Sequence, residues 1–459
     1  MSKLRKRIVA TIAIMSTLLI PGQIFSETSV QFNQGSQYEQ GTYDSTTEQP
    51  TIYNWNRNSQ YKSIDRNPYI KWKFSPIDTY FRSPVVIGKD GTVYAGAYNK
   101  PLFYALNSDG TEKWSYSGKS GEYFRYDAAP AIAADGTIYV GSSYGLHAIN
   151  PDGSRKWYID FNGRTNGVSL DSDGNIYVLH ANTLYSLDAT GVVKWSKTLY
   201  SSQSVSSVPS ISKDGNIYVA EASGIEAFNK QGSRLWLFSV GAYEGYGSPT
   251  IGEDGTIYLG LGNGTQIGYM YAINPDGTQK WKLTVESKID APPTVDKEGT
   301  LYFGLTYAKK FYAVNPDGTV KWSISTPNFY MNTGPILDSI SNIYFTSASN
   351  WDTTLHAITS SGANLWDITI TGTQYGANVP PAIAKDGTIY IASGQGIIAI
   401  GGEIDQPFDF CQIFNSLKQK VDSGLSTPEE ITQARSEVDI LKAKIQELEN
   451  KVIEAENKN

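Results

Sequence analysis

A chain of 459 residues with 43 Gly, 31 Tyr and a formal net charge of −7 can bury a large core, and it is rich in residues that suit tight turns and pleated strands. The acidic balance, with no basic stripe to offset it, excludes nucleic acid or anionic lipid held by charge. Cys411 stands alone, which excludes an intramolecular disulfide and a zinc site built on several thiolates.

Residues 1–26 read as a signal peptide. Lys3, Arg5, Lys6 and Arg7 precede a mostly apolar run from Ile8 to Ile20, and Ser26 offers a cleavage point before Glu27. That run is short against the roughly 20 residues of a spanning helix, and no later stretch is apolar enough. A secreted or cell-surface protein with no membrane span after signal removal is expected; an uncleaved N-terminal anchor is the alternative. Residues 27–67 are polar and irregular and read as a flexible linker. The first strand is expected at Ile70-Lys71-Trp72-Lys73.

From 68 to 402 the chain repeats itself. Tyr94, Tyr139, Tyr177, Tyr218, Tyr258, Tyr302, Tyr344 and Tyr390 hold one column at a period of about 40 residues. In the second copy Pro130–Ala133 is strand A and Asp135-Gly136 a tight hairpin, expected as type I′. Thr137–Gly141 is strand B, Leu146–Ile149 strand C, Asn150-Pro151-Asp152-Gly153 a second turn, and Arg155-Lys156-Trp157 strand D. The second-turn glycine is followed four residues later by Trp114, Trp157, Trp195, Trp236, Trp281, Trp322 or Trp366. A small residue marks strand C: Ala105, Ala148, Ser186, Ala227, Ala272, Ala313, Ala357 and Ala399. These columns predict an all-β, eight-bladed β-propeller of four-stranded blades, with large and small residues matched between neighbours. The eighth copy stops at Ile397–Ile400 with no tryptophan after it, whereas Trp72 lies at the other end. An N-terminal strand is therefore expected to close the ring.

The run Ala148-Ile149-Asn150-Pro151-Asp152-Gly153-Ser154-Arg155-Lys156-Trp157 resembles the tryptophan-docking motif of the pyrroloquinoline-quinone-like (quinoprotein-type) repeat family. The resemblance covers about residues 68–402. It implies an eight-bladed propeller, and the family holds both quinone-dependent alcohol dehydrogenases and a non-enzymatic lipoprotein of outer-membrane protein assembly. For the enzymes it implies a calcium, an Asp base and adjacent cysteines. This chain has no cysteine pair and lacks those enzymes' long insertions, which points to the non-enzymatic branch, with no cofactor and no metal.

Residues 403–459 read as an α-helical, coiled-coil tail. Phe410, Ile413, Phe414, Leu417 and Val421 fall at helical spacing. After Ser426-Thr427-Pro428, residues Ile431, Val438, Ile445 and Val452 take one heptad position and Ala434, Leu441, Leu448 and Ala455 the other. Residues 426–457 form either an intermolecular coil that makes a homo-oligomer or a hairpin with the preceding helix.

No catalytic residue is expected. His147 and His356 occupy a strand C column filled elsewhere by Tyr104, Tyr185, Tyr271 and Tyr312, and read as aromatic substitutes. His180 and Glu221 hold one column in adjacent blades and are candidates for a pair. Asp171-Ser172-Asp173-Gly174-Asn175 hints at a calcium loop but reads more simply as an A–B turn. The A–B and C–D turns recur almost verbatim and serve geometry. The D–A loops do not recur, and they carry Tyr80, Phe81, Arg82, Tyr123, Phe124, Arg125, Arg164, Tyr243, Tyr246, Tyr330 and Tyr375. Exposed aromatics and guanidiniums at one end of a ring suit recognition of a glycan, peptide or envelope protein. The alternatives are loops that merely plug the mouth of a structural surface protein, a quinone-dependent dehydrogenase, and a polysaccharide-cleaving propeller using loop carboxylates.

Overall fold

The computed structural model describes residues 59–404 except 125–128, 202–206, 222–223, 242–246, 264–265, 329, 332, 350 and 374–378, together with Thr432. Residues 44–404 form one compact unit; residues 1–43 and 405–459 form another, of which only Thr432 is described, as helical. The signal segment, the heptads and Cys411 therefore lie outside the described residues.

Eight four-stranded antiparallel sheets follow one another along residues 66–403. Seven take their four strands consecutively; the eighth takes Ala382–Ile383, Ile389–Ser393 and Gly396–Glu403 from the end of the repeats and Arg66–Phe74 from their start. The closure read from the displaced Trp72 is thus in place, with Trp72 opposite Ala399. The strand is longer than the four residues expected. Residues 59–65, counted by composition with the flexible linker, already hydrogen-bond to the ring. Ser59 N donates to the Leu337 carbonyl, Ser63 Oγ to that of Gly387, and Asp65 N to that of Glu403.

The columns explain one another. Tyr94, Ala105 and Trp114 lie side by side on strands B, C and D of the first blade, and the triple recurs in every blade, with Ser186 in place of alanine in the third. The tyrosine and tryptophan rings meet across the small residue at 5.6–6.0 Å between centroids. A larger strand C residue would push them apart. The indole then reaches into the next blade, where its N–H donates to a C–D turn carbonyl: Trp114 to Pro151 at 3.0 Å, Trp236 to Pro275 at 2.9 Å. The ring lies flat on the turn glycine. A Cβ on Gly153 would sit 2.7 Å from the Trp114 ring, and its φ of +86° is left-handed in any case. The eighth blade has no C–D turn, because its outer strand arrives from the N-terminus, and there Ile64 supplies the carbonyl to Trp366 at 2.9 Å. The inner strands are joined as well: Ser210 Oγ donates to the Pro249 carbonyl and Thr250 Oγ1 to that of Pro293 in the following blade.

The A–B turns differ from the type I′ expectation. Ala133 N bonds to the Thr137 carbonyl and Gly136 N to that of Ala133, and of the turn residues only Gly136 has positive φ, at 82°. That is a type I turn followed by a left-handed residue. Asp135 stays right-handed because its carboxylate accepts Thr137 N at 2.9 Å, a bond that fixes the turn from within.

Candidate functional site

Strand direction places the A–B and C–D turns at one end of the blades and the B–C and D–A loops at the other. The two ends differ in chemistry. At the turn end Asp90, Asp135, Asp254 and Asp386 each accept the backbone N–H two residues on, at 2.9–3.0 Å, and Asp109, Asp152, Asp276 and Asp317 do the same in the C–D turns. These carboxylates are therefore turn chemistry. Asp171 belongs with it: its carboxylate accepts Asp173 N, Asn175 N, Asn175 Nδ2 and Tyr177 OH, so its lone pairs serve the chain rather than a cation.

The loop end is aromatic. Tyr80, Tyr144, Tyr200, Tyr307, Tyr330 and Trp351 are exposed there, Trp351 at 65 % and Tyr200 at 66 %. Around Trp351 the backbone is pinned although the indole is in water. Its N–H and that of Asp352 donate to Ser349 Oγ, and its carbonyl accepts Thr373 N at 2.7 Å. Tyr330 and Tyr307 stand edge to face at 5.9 Å, with Tyr330 bridged to Ala348 on the strand that leads into the Trp351 loop.

The expected Tyr-Phe-Arg pairs divide. Phe81 and Phe124 are both 0 % exposed and join the blade cores, so they leave the recognition face. Each follows an exposed or half-buried tyrosine, and alternation along an extended loop turns neighbouring side chains to opposite sides. Tyr80 and Arg82 stay near the surface, and Arg82 stacks over Tyr98 at 4.9 Å, whose ring meets Tyr123 at 5.7 Å. The two loops are thus joined through Tyr98, a B–C loop residue that sequence reading passed over, as it did Tyr144, Tyr307 and Trp351. The irregular B–C loops were the available signal. Arg164 is half-buried, its Nε donating to Asn166 Oδ1 at 3.2 Å. Arg125, Tyr243, Tyr246 and Tyr375 lie outside the described residues.

Buried polar groups anchor these loops. Glu122, in a D–A loop, bonds to His147 Nε2 at 2.9 Å, accepts Ser142 Oγ and takes Lys119 N at 2.6 Å; His147 Nδ1 meets Tyr116 OH at 2.9 Å. Burial pushes the Glu122 carboxyl up, but the bonds from His147 and Ser142 outweigh it and hold the group below its usual range. His356 lies between Ser347 Oγ at 2.8 Å and Asp367 at 2.5 Å. This copies the order of a hydrolase triad with the exposure reversed, because Ser347 is fully buried and Asp367 is the member facing solvent.

His180 stacks on Phe161 and bonds to the Arg164 carbonyl at 2.9 Å, whereas Glu221 and Glu226 stand on paired strands of the fourth blade. Both glutamates are buried, accepting Ser201 N and Tyr200 N, and Arg234 pairs with Glu226 at 2.6 Å. Burial first, then the Glu221 charge, raises the Glu226 carboxyl above its ordinary value. A carboxyl raised in the folded state contributes stability that is complete below its unfolded value near 4.5 and is lost as pH rises through the folded value. Thermal melts from pH 4 to pH 8 should therefore show a loss on the alkaline side that Glu226→Gln removes. Parallel profiles for the two proteins would show that Glu226 carries no such share of the stability.

Residues 146–265 and 221–406 match the family model described as outer membrane protein assembly factor BamB. Among solved structures, BamB from Moraxella catarrhalis is similar with a TM-score of 0.57 at 16 % identity, over 74 % of this chain and 99 % of that one. The Dos1 propeller gives 0.50 at 10 % identity, over 76 % and 96 %. Virginiamycin B lyase from Staphylococcus aureus gives 0.45 at 15 %, over 60 % and 94 %. At these identities the likenesses concern the fold alone. No curated protein sequence matches the chain.

Proposed function

The chain belongs to the family described as outer membrane protein assembly factor BamB, and from that membership we propose a non-catalytic, extracytoplasmic scaffold that grips an envelope protein with its loop end. The observation that carries the reading is Trp351: an indole left in water on a backbone held by hydrogen bonds, in the loop after the strand to which Tyr330 is bridged. Exposed apolar surface on a rigid frame costs free energy until something covers it, and Trp, Tyr and Arg dominate the binding energy of protein interfaces. The burial of Ser347, Glu221 and Glu226 supports a binding role over an enzymatic one. A glycan is the second reading, favoured by the breadth of the open Trp351 ring, on which a sugar could stack. The heptads of residues 426–457 would join copies and add avidity.

A photo-crosslinking residue placed at Tyr80 or Tyr330 should capture envelope protein in the cells that make this chain, and one placed at Asp152 on the turn end should not. Trp351→Ala should weaken the captured complex by at least about 2 kcal/mol, roughly thirtyfold, with melting unchanged. Equal capture from both ends, or adducts to polysaccharide alone, would overturn the protein-partner reading.

A further inference from the structure

Six of the eight blades carry a lysine just before the docking tryptophan, Leu235 and Leu365 being the exceptions, and in four of them its carboxylate partner is built in. Lys113 reaches Asp90 at 2.9 Å and Thr92 at 2.9 Å; Lys156 reaches Asp135 at 3.1 Å and Thr137 at 2.9 Å; Lys280 reaches Asp254 at 3.0 Å and Thr256 at 2.9 Å. Lys71 does the same with Asp386 at 3.3 Å and Thr388 at 2.9 Å. In the sixth blade the turn acid is Glu298, one methylene longer. It turns to Lys297 at 3.8 Å, and among the described residues Lys321 keeps only Thr300, at 3.4 Å.

The adjoining turns of the seventh blade depart from the pattern at the same place. Ser339-Ile340-Ser341 replaces the Asp-Gly hairpin, leaving Ser341 at a φ of +66° without a glycine, and Ser360 lies in the C–D turn of the same blade. Left-handed backbone on a side-chain-bearing residue is strain that geometry alone would have removed by keeping glycine. Asp296, Lys297, Glu298, Lys321, Ser341 and Ser360 are among the residues that line an open groove of about 530 Å³. That lies within the range of about 300–1,000 Å³ typical of small-molecule sites. The lining is polar: Lys321 keeps only Thr300 among the described residues, Lys297 faces Glu298, the Asp296 carboxylate is taken up by Thr300 N and Tyr302 OH, and the seventh blade's turns contribute serines.

We infer that this groove between the sixth and seventh blades binds a hydroxylated oxyanion, a sugar acid or a sugar phosphate, with Lys321 on the charge and the serines and Glu298 on the hydroxyls. It lies at the opposite end of the ring from the loop face, so its fate is independent of the protein-partner reading. Titration calorimetry of the full chain with glucuronate, glucose 6-phosphate and neutral glucose tests it. At least one anion should bind and glucose should not; the responding anion tells carboxylate from phosphate. Lys321→Gln, an exposed position, should keep the melting temperature and weaken the anion at least about tenfold, the scale of one charge-assisted hydrogen bond. Lys280→Gln, at a paired lysine, should leave binding as it is. No heat with either anion, equal binding of glucose, or equal loss in the two variants would overturn the inference.

Discussion

Deleting residues 61–75 should leave a chain that aggregates or fails to melt cooperatively. The excised segment supplies the outer strand of the eighth blade, paired from Arg66 opposite Glu403 to Phe74 opposite Ile397. Without it the strand Gly396–Glu403, whose Ile397, Ile398 and Ile400 are fully buried, becomes an apolar free edge. Two of the eight blade contacts also go. Trp72 no longer covers Gly110 and donates to the Ser108 carbonyl, and Trp366 loses the Ile64 carbonyl. The buried Asp338 loses Ser63 N at 3.4 Å, on a carboxyl that burial already raises. Light scattering and a thermal melt decide the matter, and a monodisperse truncated protein with unchanged melting would show that the N-terminal strand is decoration.

Trp366→Ala should be the most damaging single substitution in the tryptophan column, at about 3–5 kcal/mol in urea unfolding. Trp366 is 6 % exposed, packs on Tyr344 at 5.9 Å and holds the N-terminal segment through Ile64. Its counterparts are half-buried: Trp114 makes the same carbonyl bond, yet part of its ring remains in water. Trp114→Ala should therefore cost less, since less apolar surface is left uncovered and less cavity is made. If the two variants lose equal stability, the seventh-to-eighth blade contact is no different from the rest and the closing segment carries no special share.

Read by itself, the chain determined the ring: eight blades, four strands in each, the docking tryptophan, the turn glycine beneath it and the strand borrowed from the N-terminus. Those features are set by backbone geometry repeated every blade, so one copy checks another. A turn that needs a left-handed residue shows its glycine, and a ring that must pass over a neighbour shows the alanine. What tertiary structure alone decided is which loop side chains face water. Tyr80 and Phe81 are adjacent, yet one is 37 % exposed and the other fully buried. The loop crosses from one blade to the next, and only the position of the neighbouring blade says which of its two sides is inside. The same holds for Ile64, an irregular residue by pattern that lends its carbonyl to Trp366. It holds too for Glu226, buried on a strand paired with that of Glu221. Local columns come from constraints every blade shares, whereas a site forms where blades differ, and differences have no second copy in the sequence against which to be read.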